Sequence, residues 1–252
     1  MLPILFQDEH IVVIDKPSGL LVHRSMIDKH ETRFALQMVR DQIGQYVYPV
    51  HRLDKPTSGV LVMALSPEVA SMLAELFVNK QITKQYIALV RGHTKQSERI
   101  DYPLKEVLDK KSDKKARVDK DPQEAVTNYQ KLLECEVPIS VGRYSTARYS
   151  LLSLNPETGR KHQLRRHMKH VFHPIVGDTT HGDGKHNQMF RDRFDLDRLM
   201  LVAKEIKFIH PITKETLSIK ASLGEKYLNT LASLGWPNDE KFYHSLLKSI
   251  EL

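Results

Sequence analysis

The chain has 252 residues, 40% hydrophobic and 27% charged, an ordinary globular composition that excludes a disordered or fibrous protein. Its single cysteine, Cys135, excludes an internal disulfide and a cysteine-based zinc site of the usual spacing, so we expect a reducing, cytoplasmic setting. Lysine and arginine number 38 against 31 acidic residues, and the net charge of +7 has the sign expected of a protein that meets phosphates.

The first part of the chain alternates short apolar runs with turns. The runs between residues 4 and 23 predict short strands, and polar breaks within 1–16 exclude the unbroken apolar core of a signal peptide. No apolar run approaches the length of a membrane helix. A helix is predicted over 31–44, where Gly44 is a stop signal. The turn-rich loop HRLDKPTSG follows and leads into VLVMAL, a buried strand candidate.

A second helix is predicted from Ser66, a suitable N-cap, to about Asn79. Its inward face is expected to hold Met72, Leu73, Leu76 and Phe77. The charged segment 105–120 is predicted to be an exposed, mobile loop. Further strands are expected over 85–92, 123–134, 144–154, 199–209 and 216–220, and further helices over 157–171 and 222–234.

Strands and helices in this irregular order predict an α+β fold built on a mostly antiparallel sheet. One domain is expected to cover residues 1–236, followed by a C-terminal tail over 237–252. The tail is predicted to form a short helix that packs on the domain, with Phe242, Leu246 and Ile250 on one side.

The segment HRLDKPTSGV is the most informative, because Asp54 lies in it between Arg52 and Lys55. Pro56 pushes the residue before it toward extended geometry, and Gly59 permits a turn that few residues tolerate. An aspartate held near cations stays ionised, as a carboxylate must if it attacks a sugar carbon as a nucleophile. The plain alternative is a surface loop with a local ion pair, and these residues alone leave both open.

Two other functions are set aside. A kinase-type catalytic loop has its aspartate directly after the arginine and needs a glycine-rich phosphate loop upstream, and this sequence has neither. The glycines of the later chain lack the strand-to-helix spacing of a dinucleotide-binding motif, so no nucleotide cofactor is expected. The glycines concerned are Gly177, Gly182 and Gly184.

Residues 157–173 carry five lysines or arginines, four histidines and one acid. On a helix, Arg165 and Lys169 share a face that presents cations to RNA phosphates. The face that docks on the sheet holds Leu164, Met168 and Val171. The histidines are expected to be solvated or to contact phosphates, because no HEXXH pattern or i, i+4 histidine pair marks a metal site.

An aromatic residue occupies the predicted strand KQYIALVRG. Alternation places Tyr86, Ala88 and Val90 on one side of this strand. Tyr86 is either a core residue or an aromatic that stacks on a nucleobase, and the spacing does not choose between them.

Five segments together resemble the pseudouridine synthase family related to ribosomal large subunit pseudouridine synthase A. In chain order they are IDKPSGLLVH, HRLDKPTSGV, KQYIALVRG, TGRKHQLRRH with HPIVGD, and RLMLVAKEIKFIHP. HRLD followed by TSG is highly specific, and the other segments follow in family order. The resemblance implies a mixed sheet flanked by helices and loops with a central active-site cleft. It also implies an isomerase that converts uridine in RNA to pseudouridine with no metal and no cofactor.

The resemblance assigns roles to particular residues. It makes Asp54 the nucleophile, Tyr86 the aromatic residue stacked on the target base, and Arg165 the basic partner of the nucleophile. Arg52 is expected to hold the RNA open around the flipped base, and Leu164 to pack near the target uracil. The cations of the basic segment that are expected to contact the RNA are Arg160, Arg166 and Lys169.

Finer details of the sequence concern the substrate. GRYSTARYSLL, LRRH, the HGD after HPIVGD, and the absence of an N-terminal S4-type domain resemble the family members that act on uridine 65 in the T stem of certain tRNAs. RNA is therefore the expected partner. The alternatives are the same chemistry on ribosomal RNA, and a non-catalytic RNA-binding protein of the same fold. A glycosidase that uses a carboxylate pair is a third, which free uracil would reveal.

Overall fold

The computed structural model describes residues 1–24, 31–106 and 121–250, and the statements below refer to them. From residue 107 onward the predicted charged loop lies outside the described residues. The strands are β1 (Ile4–Gln7), β2 (Ile11–Lys16), β3 (Tyr48–Pro49), β4 (Ser58–Ala64), β5 (Thr83–Arg91), β6 (Ser97–Asp101), β7 (Val126–Val137), β8 (Ala147–Pro156), β9 (Leu201–Ile209) and β10 (Thr216–Lys220). The helices are α1 (Ala35–Ile43), α2 (Pro67–Val78), α3 (Gln163–His170), α4 (Gly184–Phe194), α5 (Glu225–Ser233) and α6 (Glu240–Lys248).

The strands of the described chain form one ten-stranded sheet in the order β1-β2-β4-β9-β5-β8-β7-β6, with β3 added on β4 and β10 on β9. Every pair is antiparallel except β4 and β9, which run parallel. Helices flank the sheet, which confirms the expected α+β class. The parallel pair lies at the middle of the sheet and brings the loop before β4 next to β5.

Local signals set the boundaries of the first two helices. Gly44 ends α1 in the left-handed region at φ 69°, and its N–H donates to the carbonyl of Arg40. Ser66 is the N-cap of α2, where its side chain accepts from the N–H of Val69. The predicted inward face of α2 was wrong at Met72, which is 42% exposed, whereas Leu73 is fully buried. Fewer apolar residues of α2 are buried against the sheet than the sequence predicted.

Gly59 lies inside β4, so its predicted role in a turn was wrong. It pairs with Ala203 of β9 at the parallel junction, and its φ is +111°. A Cβ on Gly59 would lie 2.2 Å from the carbonyl oxygen of Ala203. A glycine is needed here because the two backbones approach too closely for any side chain.

We expect Gly59→Ala to lower the free energy of unfolding by about 3 kcal/mol, from left-handed strain combined with overpacking. Chemical denaturation measures the loss. Gly235→Ala is the matched control, because Gly235 also has a positive φ, of 85°, but has open space where its Cβ would lie. Equal losses in the two variants would mean that the approach of β9 does not matter.

The structure departs from the predicted pattern at several further places. The helix predicted from residue 157 begins at Gln163, and α4 was not predicted. The apolar run LLVH forms no strand, only an isolated bridge from Leu21 to Phe34. In α6 the buried residues are Tyr243 and Leu247.

The expected inner face of the tail helix was therefore wrong at Phe242, which is 36% exposed. Glu240 at the start of α6 pairs with the buried Lys204 of β9 and accepts from the N–H of Leu223. This ion pair, together with Tyr243, sets how the helix is rotated against the sheet. The boundary between a domain over 1–236 and a tail stays a prediction. No helix among the described residues is both long and apolar enough to cross a membrane.

Candidate active site

A cavity of about 100 Å³ lies where the loop before β4, strand β5 and the start of α3 meet. The role of this cavity as the active-site cleft that the resemblance implies stays a prediction. Six of the predicted site residues line the cavity: Arg52, Asp54, Tyr86, Arg160, Leu164 and Arg165. The other two, Arg166 and Lys169, lie on α3 outside the lining. Among the described lining residues, Asp54 is the only one with a carboxylate.

The loop that carries Asp54 is tied to the turn after β2. Lys16 is fully buried, and its ammonium donates to the carbonyls of Leu20 at 2.8 Å and Lys55 at 3.2 Å. The hydroxyl of Ser18 donates to the carbonyl of Pro56 at 2.7 Å. Burial lowers the pKa of Lys16 to about 7. One buried cation thus gathers carbonyl oxygens from two loops and holds the Asp54 loop in place.

The cation in contact with Asp54 is Arg165, at 3.1 Å from Nη1 to Oδ2. The resemblance implied Arg165 as this partner, whereas the loop sequence by itself suggested the neighbours Arg52 and Lys55. Lys55 instead forms an ion pair with Glu31 at 2.8 Å, and Arg52 is exposed at the rim of the cavity. The residue in contact with Asp54 is therefore the partner that the resemblance implied, 111 residues away in the chain.

Arg165 is itself held by a second carboxylate, which the sequence analysis missed. Asp178 accepts from Arg165 twice, at 2.7 Å from Nε and 2.8 Å from Nη2. Both side chains are buried, at 3% exposure for Arg165 and 2% for Asp178. The N–H groups of Thr180 and His181 also donate to Asp178, each at 2.9 Å. In the sequence, the only signal for Asp178 is its place in HPIVGD, directly after an apolar run and a glycine.

The electrostatics of Asp178 agree with this arrangement. Burial alone would raise the pKa of its carboxyl, but the hydrogen bonds from Arg165 and from the N–H of His181 outweigh burial and lower the pKa below the usual 3.8. The bidentate contact leaves the Nη1 of Arg165 directed at Asp54. The guanidinium is thereby fixed in one orientation before any substrate binds.

The helix α3 starts late because the residues before it form a turn. Gln163 is 4% exposed, and its side-chain oxygen accepts from Thr158 at 2.7 Å and from the N–H of Arg160 at 3.0 Å. Its amide nitrogen donates to the carbonyl of Val126 at 2.9 Å. His162 then enters the helix at φ 55°, the left-handed region. The buried side-chain amide of Gln163 makes these hydrogen bonds with the residues before it and with Val126. The residues before Gln163 therefore form a turn instead of the helix predicted from residue 157.

The expectation that the histidines of the basic segment are solvated or contact phosphates was wrong at His167. His167 is fully buried and contacts the Thr127 hydroxyl and the carbonyl of Tyr102, each at 3.0 Å. His162 is half-buried, and its Nε2 lies 3.9 Å from Oδ1 of Asp54. Among the described residues no group of three or more His, Cys, Asp or Glu side chains is placed to hold a metal ion.

Tyr86 and Leu164 form the apolar side of the cavity. Tyr86 is half-buried and packs against two of the apolar clusters of the core. Burial, and then the charge of Asp54, raise the pKa of Tyr86, so its hydroxyl stays protonated. Leu164 is 7% exposed. The cavity therefore combines a carboxyl group that pairs with an arginine, an aromatic ring and an aliphatic wall.

The remaining predicted cations lie around the opening or beyond it. Arg160 is exposed and donates from Nε to the carbonyl of Glu124 at 3.0 Å. Arg166 donates to the carbonyl of Lys105 at 3.0 Å, away from the cavity. Lys169 is exposed one turn further along α3. We use the name basic rim for Arg160, at the opening, together with Arg166 and Lys169, further along α3.

Comparison with known proteins gives consistent results. Residues 10–170 match the family model described as RNA pseudouridylate synthase. The tRNA pseudouridine synthase C of Vibrio cholerae serotype O1 is 55% identical over 236 residues, which cover 94% of this chain and 97% of that protein. The protein of the same name from Haemophilus influenzae is 54% identical over 238 residues, which cover 94% of this chain and 100% of that protein.

Solved structures support the same fold. Human RNA Pseudouridylate Synthase Domain Containing 4 superposes with a TM-score of 0.67 at 28% identity, covering 92% of this chain and 93% of that one. Human RNA Pseudouridylate Synthase Domain Containing 1 gives a TM-score of 0.66 at 25% identity, covering 88% and 83%. The matched range includes Asp54, Tyr86 and Arg165, whereas Asp178 lies beyond it.

Proposed function

This chain belongs to the RNA pseudouridylate synthase family, and we propose that it isomerises uridine 65 in the T stem of tRNA, with Asp54 as the nucleophile. The observation that carries the proposal is the carboxylate of Asp54, held by a buried arginine in a cavity that also presents an aromatic ring. Glycosidases use two carboxylates that face one bond. Asp54 is the sole carboxylate among the described lining residues, which favours isomerisation over hydrolysis.

The reaction moves the uracil ring on its ribose. The bond from N1 to C1′ breaks, a bond from C5 to C1′ forms, N1 gains a proton and C5 loses one. The carboxylate of Asp54 adds to the ribose or the base, and Arg165 holds that carboxylate in place at the cavity. The described residues supply nucleophile, cation and ring, so the proposal needs no metal and no nucleotide cofactor.

A uridine in a stem must leave its helix before it can enter the cavity. Flipping costs a few kcal/mol in lost stacking and pairing, which contacts to the RNA must offset. In our proposal Tyr86 stacks on the flipped base, Leu164 packs against it, and Arg52 at the rim holds the RNA open. The basic rim then contacts the phosphates on either side.

We expect Tyr86→Leu to lower kcat/KM for a tRNA transcript by about 5- to 150-fold, the equivalent of about 1–3 kcal/mol of lost stacking. Tyr86→Phe keeps the ring and removes only a hydroxyl that stays protonated, so it should remain close to wild type. Steady-state kinetics on both variants measure the difference. If Tyr86→Phe is as damaged as Tyr86→Leu, the hydroxyl takes part in the reaction and stacking is not the main role.

The basic rim makes a prediction about salt. Arg166→Ala and Lys169→Ala should each weaken tRNA binding and reduce the slope of log affinity against log salt by about 0.9, the value for one lost phosphate contact. Titrations at several salt concentrations measure the slope. Lys241→Ala removes the same charge from α6 and should leave the slope unchanged. A slope that stays at the wild-type value in both rim variants contradicts the contact.

The assignment to tRNA follows the names of the two relatives described above, both tRNA pseudouridine synthase C. The test uses tRNA and ribosomal RNA transcripts that carry tritium at uridine C5, since a bond formed at C5 releases the label. Release from tRNA that maps to position 65 supports the full proposal. Release from ribosomal RNA alone keeps the chemistry and overturns the substrate. No release from either would favour a non-catalytic RNA-binding protein.

A further inference from the structure

Two histidine rings connect the candidate active site to the protein surface. His162 lines the cavity, and its Nδ1 lies 3.0 Å from Nε2 of His181. The rings meet edge to face, with centroids 5.2 Å apart. His181 is half-exposed, so the pair leads from the cavity toward solvent. His162 is also held at φ 55°, a costly conformation of the kind that concentrates at functional sites.

The contact between the rings restricts their protonation. A hydrogen bond at 3.0 Å requires a proton on one of the two facing nitrogens. When Nδ1 of His162 carries it, Nε2 of His162 is a bare acceptor that faces the cavity beside Asp54. Burial lowers the pKa of His162, and it lowers the pKa of His181 to about 4, so both rings are neutral at neutral pH.

The charged groups around the pair come from three segments. Asp54 faces His162 from the loop before β4, and Arg165 and Lys161 lie near it on and before α3. Asp178 acts on both rings, and Lys169 acts on His181. Asp178 is already saturated by Arg165 and by two backbone N–H groups. His162 is therefore the one neutral base among the described lining residues, and His181 is hydrogen-bonded behind it.

We propose that His162 takes the proton that leaves C5 of the target base, and that His181 relays it to solvent. This inference rests on the proposed function, because it concerns the last step of that reaction. After the bond from C5 to C1′ has formed, C5 carries both its hydrogen and the ribose. If Asp54 added to the ribose, its carboxylate has left C1′ when the C5–C1′ bond forms, and a base in the cavity has to remove the hydrogen of C5 to restore the ring.

The step balances in atoms and electrons. Nε2 of His162 takes the proton of C5, and the electron pair of the C5–H bond forms the C5=C6 double bond. The electron pair of the C6=N1 bond moves to N1, which takes a proton from water. Within the pair, Nδ1 of His162 passes its proton to Nε2 of His181, and His181 loses a proton to solvent.

The test compares uridine with 5-fluorouridine in otherwise identical tRNA transcripts. Fluorine cannot leave C5 as a cation, so the fluorinated base is rearranged but never deprotonated there. His162→Asn keeps a residue that tolerates the left-handed backbone and lacks a base. We expect it to slow pseudouridine formation about 100-fold, within the range for loss of a general base, and to rearrange 5-fluorouridine at the wild-type rate.

A second readout is the isotope effect at C5. Deuterium at C5 should slow His162→Asn more than wild type, because proton removal becomes the slow step. His181→Phe keeps the edge contact and loses the relay, so it should show the same pattern to a smaller degree. His244→Asn, on α6 and away from the cavity, is the matched control and should behave as wild type.

Three outcomes would overturn the inference. Equal slowing of uridine and 5-fluorouridine would show that His162 only shapes the site. An unchanged rate on uridine would show that another group takes the proton. Failure of the wild-type protein to modify either transcript would contradict the proposed function itself. This outcome differs from the other two because it is seen without any variant.

Discussion

Asp54→Asn is expected to reduce pseudouridine formation in a tRNA transcript by more than about 10³-fold, because an amide cannot replace a carboxylate nucleophile. The variant should still fold. Asp54 is 25% exposed as a side chain, and Arg165 keeps both of its contacts to Asp178 when the charge at position 54 is lost. Single-turnover tritium release measures the rate, and thermal unfolding verifies the fold.

The control for this experiment is a carboxylate that also pairs with an arginine but lies outside the cavity. Asp41 is exposed and pairs with Arg40 at 2.9 Å, so Asp41→Asn should retain wild-type activity. RNA binding provides a further distinction, since Asp54→Asn should bind the transcript about as well as wild type. Activity retained by Asp54→Asn would show that Asp54 is not the nucleophile. It would favour the alternative in which this segment is a surface loop with an ion pair.

Asp178→Asn is expected to cost about 3–5 kcal/mol in free energy of unfolding, because it leaves a buried guanidinium without its main partner. It should also lower kcat, since Arg165 is no longer fixed in the orientation that directs Nη1 at Asp54. We expect the loss in kcat to exceed the change in KM, because the substrate-facing surface is intact. Chemical denaturation and saturation kinetics, measured where both proteins are folded, separate the two effects.

The pH dependence of stability gives an independent check on Asp178. Its pKa in the folded protein lies below the usual 3.8, so as the pH falls the unfolded chain takes up the proton first. The stabilisation from the carboxylate is therefore complete above the unfolded value and is lost as the pH falls through the folded value. Asp178→Asn should lack this part of the acid-induced loss of stability, which denaturation between neutral and acidic pH measures.

Asp183 offers a matched control. It too pairs with an arginine, Arg91, and accepts from two backbone N–H groups, but it is only half-buried and lies outside the cavity. Asp183→Asn should cost about 1 kcal/mol and leave kcat unchanged. If the two asparagine variants lose stability and activity to the same extent, burial of the Arg165 pair does not have the importance that we assign to it.

Sequence alone determined the features that depend on neighbours along the chain. Ser66 and Gly44 mark helix ends because a cap acts on backbone groups within a few residues of itself. The fold class follows from the order of apolar runs and turns, and the resemblance of five short segments identified the family. The roles proposed for Asp54 and Tyr86 came from the same segments, and they stay proposals that the experiments above test.

The tertiary structure decided what depends on residues far apart in the chain. Asp54 and Arg165 are 111 positions apart, and only the family resemblance, not the residues next to Asp54, indicated that the two are partners. In the sequence His162 is one basic residue among several. The fold places His181 and Asp54 next to it, and these contacts distinguish it from the others. Local propensity and capping act over one or two turns, whereas burial and ion pairing depend on which distant segments the sheet brings together.

Gly59 shows the same division. A glycine in a loop-like sequence predicts a turn, and nothing within its own segment indicates a parallel neighbour. Only the pairing of β4 with β9 brings the carbonyl of Ala203 to 2.2 Å from where a Cβ would lie. The requirement for glycine therefore arises from a contact between segments more than a hundred residues apart, which no local pattern encodes.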